Sequence, residues 1–341
     1  MDVYQQYEGG YRPTVTIDLG RLVGNFRRLA ARQPSAEAAA VVKCDAYGLG
    51  LLPCARALVE RGGCQTFFVA HPEEGARLRD GLADLAPEAE IFVLNGPTLA
   101  SLPVFRAARL TPVVNSLRQA RLWTDHHAGE PCGLHADVGI HRLGVPADEI
   151  DAALALPGLN ATLFMGHLSC AGTPDDPTND QELERFRMLA DRAGKARLSL
   201  VSSGGALIGD AFGFDLIRLG VGLYGVSPFG EEVKEVKPVA TLTAEVLQAQ
   251  TVPAGGRVGY SGLFEAKRPT RLATLALGYG DGFPRAAPAD GGAGSVNVVV
   301  GGAACPVVGC VSMDLVTVDV TEAPGDVAPG DQAEVFGDRM R

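Results

Sequence analysis

Up to Gly225 the chain repeats one pattern: a short apolar run, turn residues, then a polar stretch long enough for a helix. Such runs occur at 38–43, 66–70, 90–95, 110–115, 133–138, 161–168, 197–203 and 216–225. They are rich in Ala, Val, Leu and Phe and too short for buried helices, so they read as strands covered on both faces. Between them Pro72–Leu82, Ser116–His126 and Asn179–Ala193 have the apolar spacing of crossover helices. Eight such alternations are what a closed (β/α)8 barrel requires, and a doubly wound sheet normally needs fewer. Ahead of them Thr14-Val15-Thr16-Ile17 alternates like a strand, and Asp18 offers an N-cap for the helical pattern Leu22, Phe26, Leu29.

Beyond Gly225 the texture changes. Ser227 to Gly230 and the charged run Glu231 to Lys237 read as a linker. Strand-like runs follow at Thr241–Val252, Arg271–Leu277, Val296–Val300, Val307–Met313, Leu315–Val320 and Gln332–Phe336. Gly-Gly pairs at 255–256, 291–292 and 301–302 and Pro329-Gly330 punctuate them, and no helical pattern intervenes. The expected fold class is therefore α/β, a TIM barrel followed by a C-terminal all-β domain. The division is an N-terminal tail at 1–13, the barrel at 14–228 and the β domain at 229–341.

A formal net charge of −10 argues against nucleic acid or an anionic membrane surface as partner. No apolar run reaches the length of a membrane span. The seven cysteines form no Cys-x-x-Cys pair, and the N-terminus lacks a signal sequence, so the expectation is reduced thiols in a cytoplasm.

In a barrel the chemistry sits at the C-terminal ends of the strands. Ala38 to Val42 run straight into Lys43, followed by a turn containing Tyr47, Gly48 and Gly50. An amine held there can form a Schiff base with an aldehyde. The fifth run carries His135 and Asp137, with the turn Gly139-Ile140-His141-Arg142-Leu143-Gly144 after it. The sixth ends at His167, the seventh at Ser202-Ser203-Gly204-Gly205, and the eighth at Arg218-Leu219-Gly220-Val221-Gly222. Small-residue turns after strands seven and eight are a recurrent phosphate site in barrels. Taken singly these signals are weak: a lysine ending a strand usually snorkels to water, a Gly-Gly pair usually makes a turn, and a lone histidine is usually structural. Converging on one rim, they suit a phosphate-bearing aldehyde cofactor, pyridoxal 5'-phosphate.

The same residues resemble the alanine racemase family. Ala-Val-Val-Lys-Cys-Asp-Ala-Tyr-Gly-Leu-Gly (40–50) is similar to its cofactor-lysine signature, and His-Ala-Asp-Val-Gly-Ile-His-Arg-Leu-Gly (135–144) to its arginine segment. Arg-Leu-Gly-Val-Gly-Leu-Tyr-Gly (218–225), Gly-Tyr-Ser-Gly (259–262), Gly-Tyr-Gly-Asp-Gly (278–282) and Ser-Met-Asp (312–314) follow in the family's order. The resemblance spans about 14–337. It implies a homodimer paired head to tail, acting on a small amino acid and interconverting L- and D-alanine for peptidoglycan. Lys43 would carry the cofactor and act as one base, and Tyr260 from the partner's β domain would be the other. Arg218 would donate to the pyridine nitrogen, with His167 between it and Tyr260. Tyr47, Ser203 and the Gly220 and Val221 amides would hold the phosphate. Arg142 would face the phenolic oxygen and the substrate carboxylate, helped by the Met313 amide, and Tyr279 and Asp314 would line the entrance and substrate pocket. Two bases on opposite faces of Cα are the economical design for racemisation.

Some positions depart from the pattern. His135 stands where many members have a carbamylated lysine, so it would orient Arg142 by itself. Val138 replaces Thr, Ser202 replaces Asn, and Cys44 replaces Ala. The family typically continues past Glu-Val-Phe-Gly to a tyrosine that contacts the phosphate. This sequence ends at Arg341, which gives an expectation of reduced cofactor affinity or of an inactive cofactor-binding homologue. Rival readings are a racemase for serine or larger amino acids, a decarboxylase, a non-catalytic cofactor carrier, and a metal-dependent barrel hydrolase. The carriers lack a β domain, and the six histidines show no ligand spacing for a metal.

Overall fold

A computed structural model describes the backbone of residues 3–5 and all of residues 12–287, 289–291 and 294–339. Most of the expected N-terminal tail, and Gly292 of one Gly-Gly pair, lie outside the described residues. The chain divides into two compact units, Leu19–Lys237 and a second made of Met1–Asp18 with Pro238–Arg341.

The first unit is a parallel sheet of eight strands in chain order: Glu37–Val41, Thr66–Val69, Glu90–Val93, Thr111–Val114, Pro131–His135, Asn160–Met165, Arg197–Ser199 and Leu216–Leu219. The last strand pairs with the first, Leu216 opposite Glu37 and Leu219 opposite Ala40. A Ser202–Arg218 bridge joins strands seven and eight, which closes the ring. Residues two apart face the same way along a strand. Ala39, Val41, Phe68, Phe92, Val113, Leu163, Met165 and Leu216 accordingly fill the interior as one buried cluster, with Phe68 and Phe92 stacked at 4.9 Å. Helices Pro72–Gly81, Leu117–His127 and Thr178–Ala190 lie where the apolar spacing puts them, and Ser116 caps the second by accepting from Gln119 N–H.

The second unit is antiparallel and built mainly from Ala240–Val252, Thr270–Leu275, Asn297–Val300, Ala303–Pro306, Val316–Asp319 and Gln332–Phe336. Thr14–Asp18 pairs with Ala240–Thr243 in this sheet, so the boundaries differ from a barrel at 14–228. Thr14, Val15 and Thr16 are half-buried and Ile17 is buried, and each pairs in register with 240–243 of that sheet. The run Val307–Met313 also differs. It makes only isolated bridges, because Gly309 adopts φ 74° against the Val258 carbonyl and ends the extension. Among the described residues no helix is long and apolar enough to cross a membrane, and none of the seven cysteines is joined in a disulfide.

Candidate active site

The two-residue period that fills the barrel also delivers its polar rim. Continuing the inward parity past Val41, Val113, Met165 and Leu216 reaches Lys43, Asn115, His167 and Arg218, and past Gly133 it reaches His135. These side chains line a cavity of about 440 Å³. Tyr47, Arg142, Ser202, Gly220 and Val221 come to it from the loops, and Ala70, Leu94 and Asn95 complete the wall. Lys43 and two arginines face the cavity, and no carboxylate among the described residues does, in a chain of net charge −10.

Lys43 opens a turn of unusual hand. Cys44, Asp45, Ala46 and Tyr47 have φ of 54°, 54°, 55° and 58°. Left-handed helical residues other than glycine cost about 1–2 kcal/mol each and occur as a rule singly. Four in succession persist only where the surroundings over-determine them, which is characteristic of functional sites. Here Ala46 N–H donates to Val42 O at 2.9 Å, Gly48 N–H to Cys44 O at 2.8 Å, and Leu51 N–H to Asp45 Oδ1 at 3.1 Å. At the far end Tyr47 stacks on Tyr224 at 4.5 Å, and Tyr224 donates its hydroxyl to Val41 O at 2.8 Å. The Tyr47 hydroxyl stands 2.7 Å from where a Cβ on Gly220 would be, so a side chain there would push the hydroxyl aside. Burial, with Cys44 nearby, raises the Tyr47 hydroxyl above its ordinary value.

Arg218 is buried to 3 % exposure. It donates to Ser199 Oγ, to Gly166 O at 2.6 Å and to Leu200 O at 3.1 Å. Burial pushes it down to about 9, which leaves it charged at neutral pH. His167 Nδ1 lies 3.4 Å from an Arg218 nitrogen. Arginine can only donate, so Nδ1 is the acceptor and the proton resides on Nε2. Burial first, then Arg218, Arg142, His135 and Lys43, pushes His167 down to about 3. His135 is pushed to about 3 by burial and by Arg218 and Arg142, against the opposing pull of Asp137.

The two amide donors of Asn115 go to Leu94 O and Val113 O, so its oxygen faces His135 Nδ1 at 2.8 Å and receives the Nδ1 proton. His135 Nε2 is left as a buried lone pair without a partner. Asp137 shapes the loop after strand five: it accepts from Gly139 N–H at 3.0 Å and His141 N–H at 3.1 Å, and its other oxygen lies 3.1 Å from His141 Nδ1. The loop presents Arg142, which has no hydrogen-bond partner among the described residues.

Ser203 stands behind the lining rather than in it. Its buried hydroxyl accepts from Gly220 N–H at 2.9 Å and Gly222 N–H at 3.2 Å, while Ser202 faces the cavity. Tyr260, Tyr279, Met313 and Asp314 belong to the antiparallel unit. Tyr260 stands 73 % exposed in a turn where Gly259 has φ 73° and Ser261 has φ 60°. Two loops of this unit are laced together: Tyr279 N–H donates to Ser312 O at 3.1 Å and Gly280 N–H to Met313 O at 2.8 Å. A Cβ on Gly278 would fall 2.1 Å from Met313 O, and the Arg285 guanidinium covers the Tyr279 ring at 5.5 Å.

The cavity suits the cofactor expected from the sequence. An amine ends the strand beside the one that leads into Gly220, where a Cβ would crowd the Tyr47 hydroxyl, Arg142 and Arg218 bring positive charge to the space, and one buried acceptor has no partner among the described residues. Fold and site together define a (β/α)8 barrel with an amine-bearing, anion-binding pocket at the C-terminal ends of its strands, joined to an antiparallel β unit.

Comparison with known proteins narrows this class. The alanine racemase N-terminal domain matches residues 17–228 and the alanine racemase C-terminal domain matches residues 239–341. An alanine racemase of Methylobacterium nodulans is 42% identical over 334 residues, covering 96% of this chain and 88% of the relative. The crystal structure of the Bartonella henselae alanine racemase with covalently bound pyridoxal phosphate superposes with a TM-score of 0.87 at 32% identity, covering 96% of this chain and 91% of that one. The biosynthetic alanine racemase of Pseudomonas aeruginosa gives 0.88 at 30% identity, with coverages of 97% and 92%. The chain belongs to the alanine racemase family.

Sequence reasoning missed Asn115 and Asn95 as lining residues. For Asn115 the signal was present, since it continues the parity of Val113 by one step.

Proposed function

We propose that this chain is a pyridoxal-phosphate-dependent amino-acid racemase that interconverts L- and D-alanine in the cytoplasm and supplies D-alanine for peptidoglycan. The observation that carries the reading is the cationic cavity into which strand register turns Lys43. When bound, the cofactor supplies an electron sink that acidifies Cα of an attached amino acid. Lys43 anchors it and moves the proton on one face of Cα. Tyr260 of a second copy of this chain moves the proton on the other face, and its exposure suits a group that works in a partner's site. Arg218, charged at neutral pH and with its donors fixed by Ser199, Gly166 and Leu200, holds a positive charge toward the ring nitrogen and disfavours its protonation. Arg142, with a free donor fork, suits the substrate carboxylate. Val221 and Tyr47 face the phosphate, with Gly220 allowing the close approach. Ser203 acts from behind by holding the Gly220 and Gly222 amides. Tyr279, Met313 and Asp314 bound the small substrate pocket on the partner's side.

The test is formation of D-alanine from L-alanine by the purified chain with pyridoxal phosphate. Turnover that is absent in Lys43→Ala and strongly reduced in Tyr260→Phe supports the reading. Cofactor uptake without turnover on alanine, but with turnover on serine, would move the substrate assignment.

A further inference from the structure

The left-handed turn that starts at Lys43 is held from outside by a helix that contributes nothing to the cavity. Helix Pro72–Gly81 begins after His71, and Glu74 sits in its first turn. One carboxylate oxygen of Glu74 does ordinary capping work, accepting from Ala70 N–H at 2.9 Å and His71 N–H at 3.2 Å. The other leaves its own helix and accepts from Cys44 N–H at 2.5 Å. That nitrogen belongs to the peptide bond of Lys43. Arg77 lies three residues on along the same helix, hence on the same face, and reaches Asp45 Oδ1 at 3.5 Å. One helix therefore grips the turn at consecutive residues, while Tyr224 fixes its other end through the Tyr47 ring.

We propose that Glu74 is a positioning residue for the reaction. By pinning the Cys44 amide it keeps the left-handed turn wound, and so sets Lys43 and Tyr47, one turn apart, at the spacing of the cofactor's aldehyde and phosphate. The inference rests on the roles given above to Lys43 and Tyr47. A capping glutamate with no further duty would affect only its own helix. A glutamate that holds strain affects the turn, and the need for it falls where the strain is removed. Cys44 is exposed and has φ 54°, which glycine adopts without penalty.

The experiment compares wild type, Glu74→Ala and Glu74→Ala/Cys44→Gly by backbone hydrogen exchange over residues 43–50 and by titration with pyridoxal phosphate. Glu74→Ala should lose exchange protection in the turn and weaken cofactor binding about ten- to a hundred-fold, the range for one hydrogen bond to a charged group. kcat should fall more than KM rises. Cys44→Gly should recover most of the lost affinity, and Glu74→Gln, which keeps one acceptor, should lie between wild type and Glu74→Ala. Protection lost only in helix Pro72–Gly81 with affinity intact would overturn the proposal, and so would a defect that Cys44→Gly leaves uncorrected. A wild-type chain that takes up no cofactor would refute the role of Lys43, whereas unchanged exchange in the turn of Glu74→Ala would refute the clamp.

Discussion

The barrel rim and the loops of the antiparallel unit carry their candidate residues in different ways. On the rim, Lys43, His135, His167 and Arg218 each extend a buried strand by one more step of its inward face, and neighbours hold His135, His167 and Arg218. Arg218 has its acceptors fixed before any ligand arrives, and His135 has its tautomer set by Asn115. In the antiparallel unit Tyr260 and Met313 stand 73 % and 56 % exposed on turns. The first arrangement is a preorganised site, rigid because strands and packing position it. The second is a set of exposed side chains on turns, which the function proposed above assigns to the site of a neighbouring copy.

The largest expected effect tests this division. Lys43→Ala and Tyr260→Phe should each be inactive or nearly so, the second by about 10²–10⁴-fold, the usual contribution of a positioned acid–base group. Mixing the two inactive variants should restore activity, because one site of the mixed dimer then holds both Lys43 and Tyr260. Failure of the mixture to recover would place Tyr260 and Lys43 in the same copy.

A smaller effect separates the rim by its burial. Arg218→Leu leaves Ser199 Oγ, Gly166 O and Leu200 O without their donor, at about 1–3 kcal/mol for each buried group left unpaired. Thermal unfolding should show the loss, whereas Tyr260→Phe should leave the melting temperature unchanged.

The rim should also confer acid sensitivity. His135 and His167 are pushed down from 6.5 to about 3 in the folded chain. Between those values the unfolded chain binds more protons, so stability is full above about 6.5 and falls as pH drops toward 3. Denaturant unfolding followed over that range should steepen with acid, and His135→Gln should flatten the slope. The smallest effect is expected from Ser203→Ala, which frees the Gly220 and Gly222 amides. Cofactor affinity should fall modestly with kcat kept, as befits a group behind the lining.

The same contrast explains what was legible in the sequence. Strand-end residues could be placed because each apolar run stops at a polar terminus, where a barrel keeps its chemistry. That reading reached Lys43, His167 and Arg218, and the two-residue period counted on from Val113 would also have reached Asn115. Loop geometry is written in no period: the left-handed turn at 44–47 has only Gly48 and Gly50 after it to announce it, and the duty of Ser203 toward two amides depends on how two loops meet. The strand at 14–18 was legible as a strand but not as a member of the second sheet, because its partner at 240–243 lies more than two hundred residues away. Tyr260 is given its proposed role only by the motif order 40–50, 135–144, 218–225 and 259–262.

The central claim is that Lys43 is the group to which the cofactor attaches. Incubation with pyridoxal phosphate, borohydride reduction and peptide mass analysis measure it directly. A single stable pyridoxyl adduct is expected on the peptide containing Lys43, absent when Lys43 is replaced by alanine. No adduct, or one of equal yield on Lys195, Lys234, Lys237 or Lys267, would contradict it.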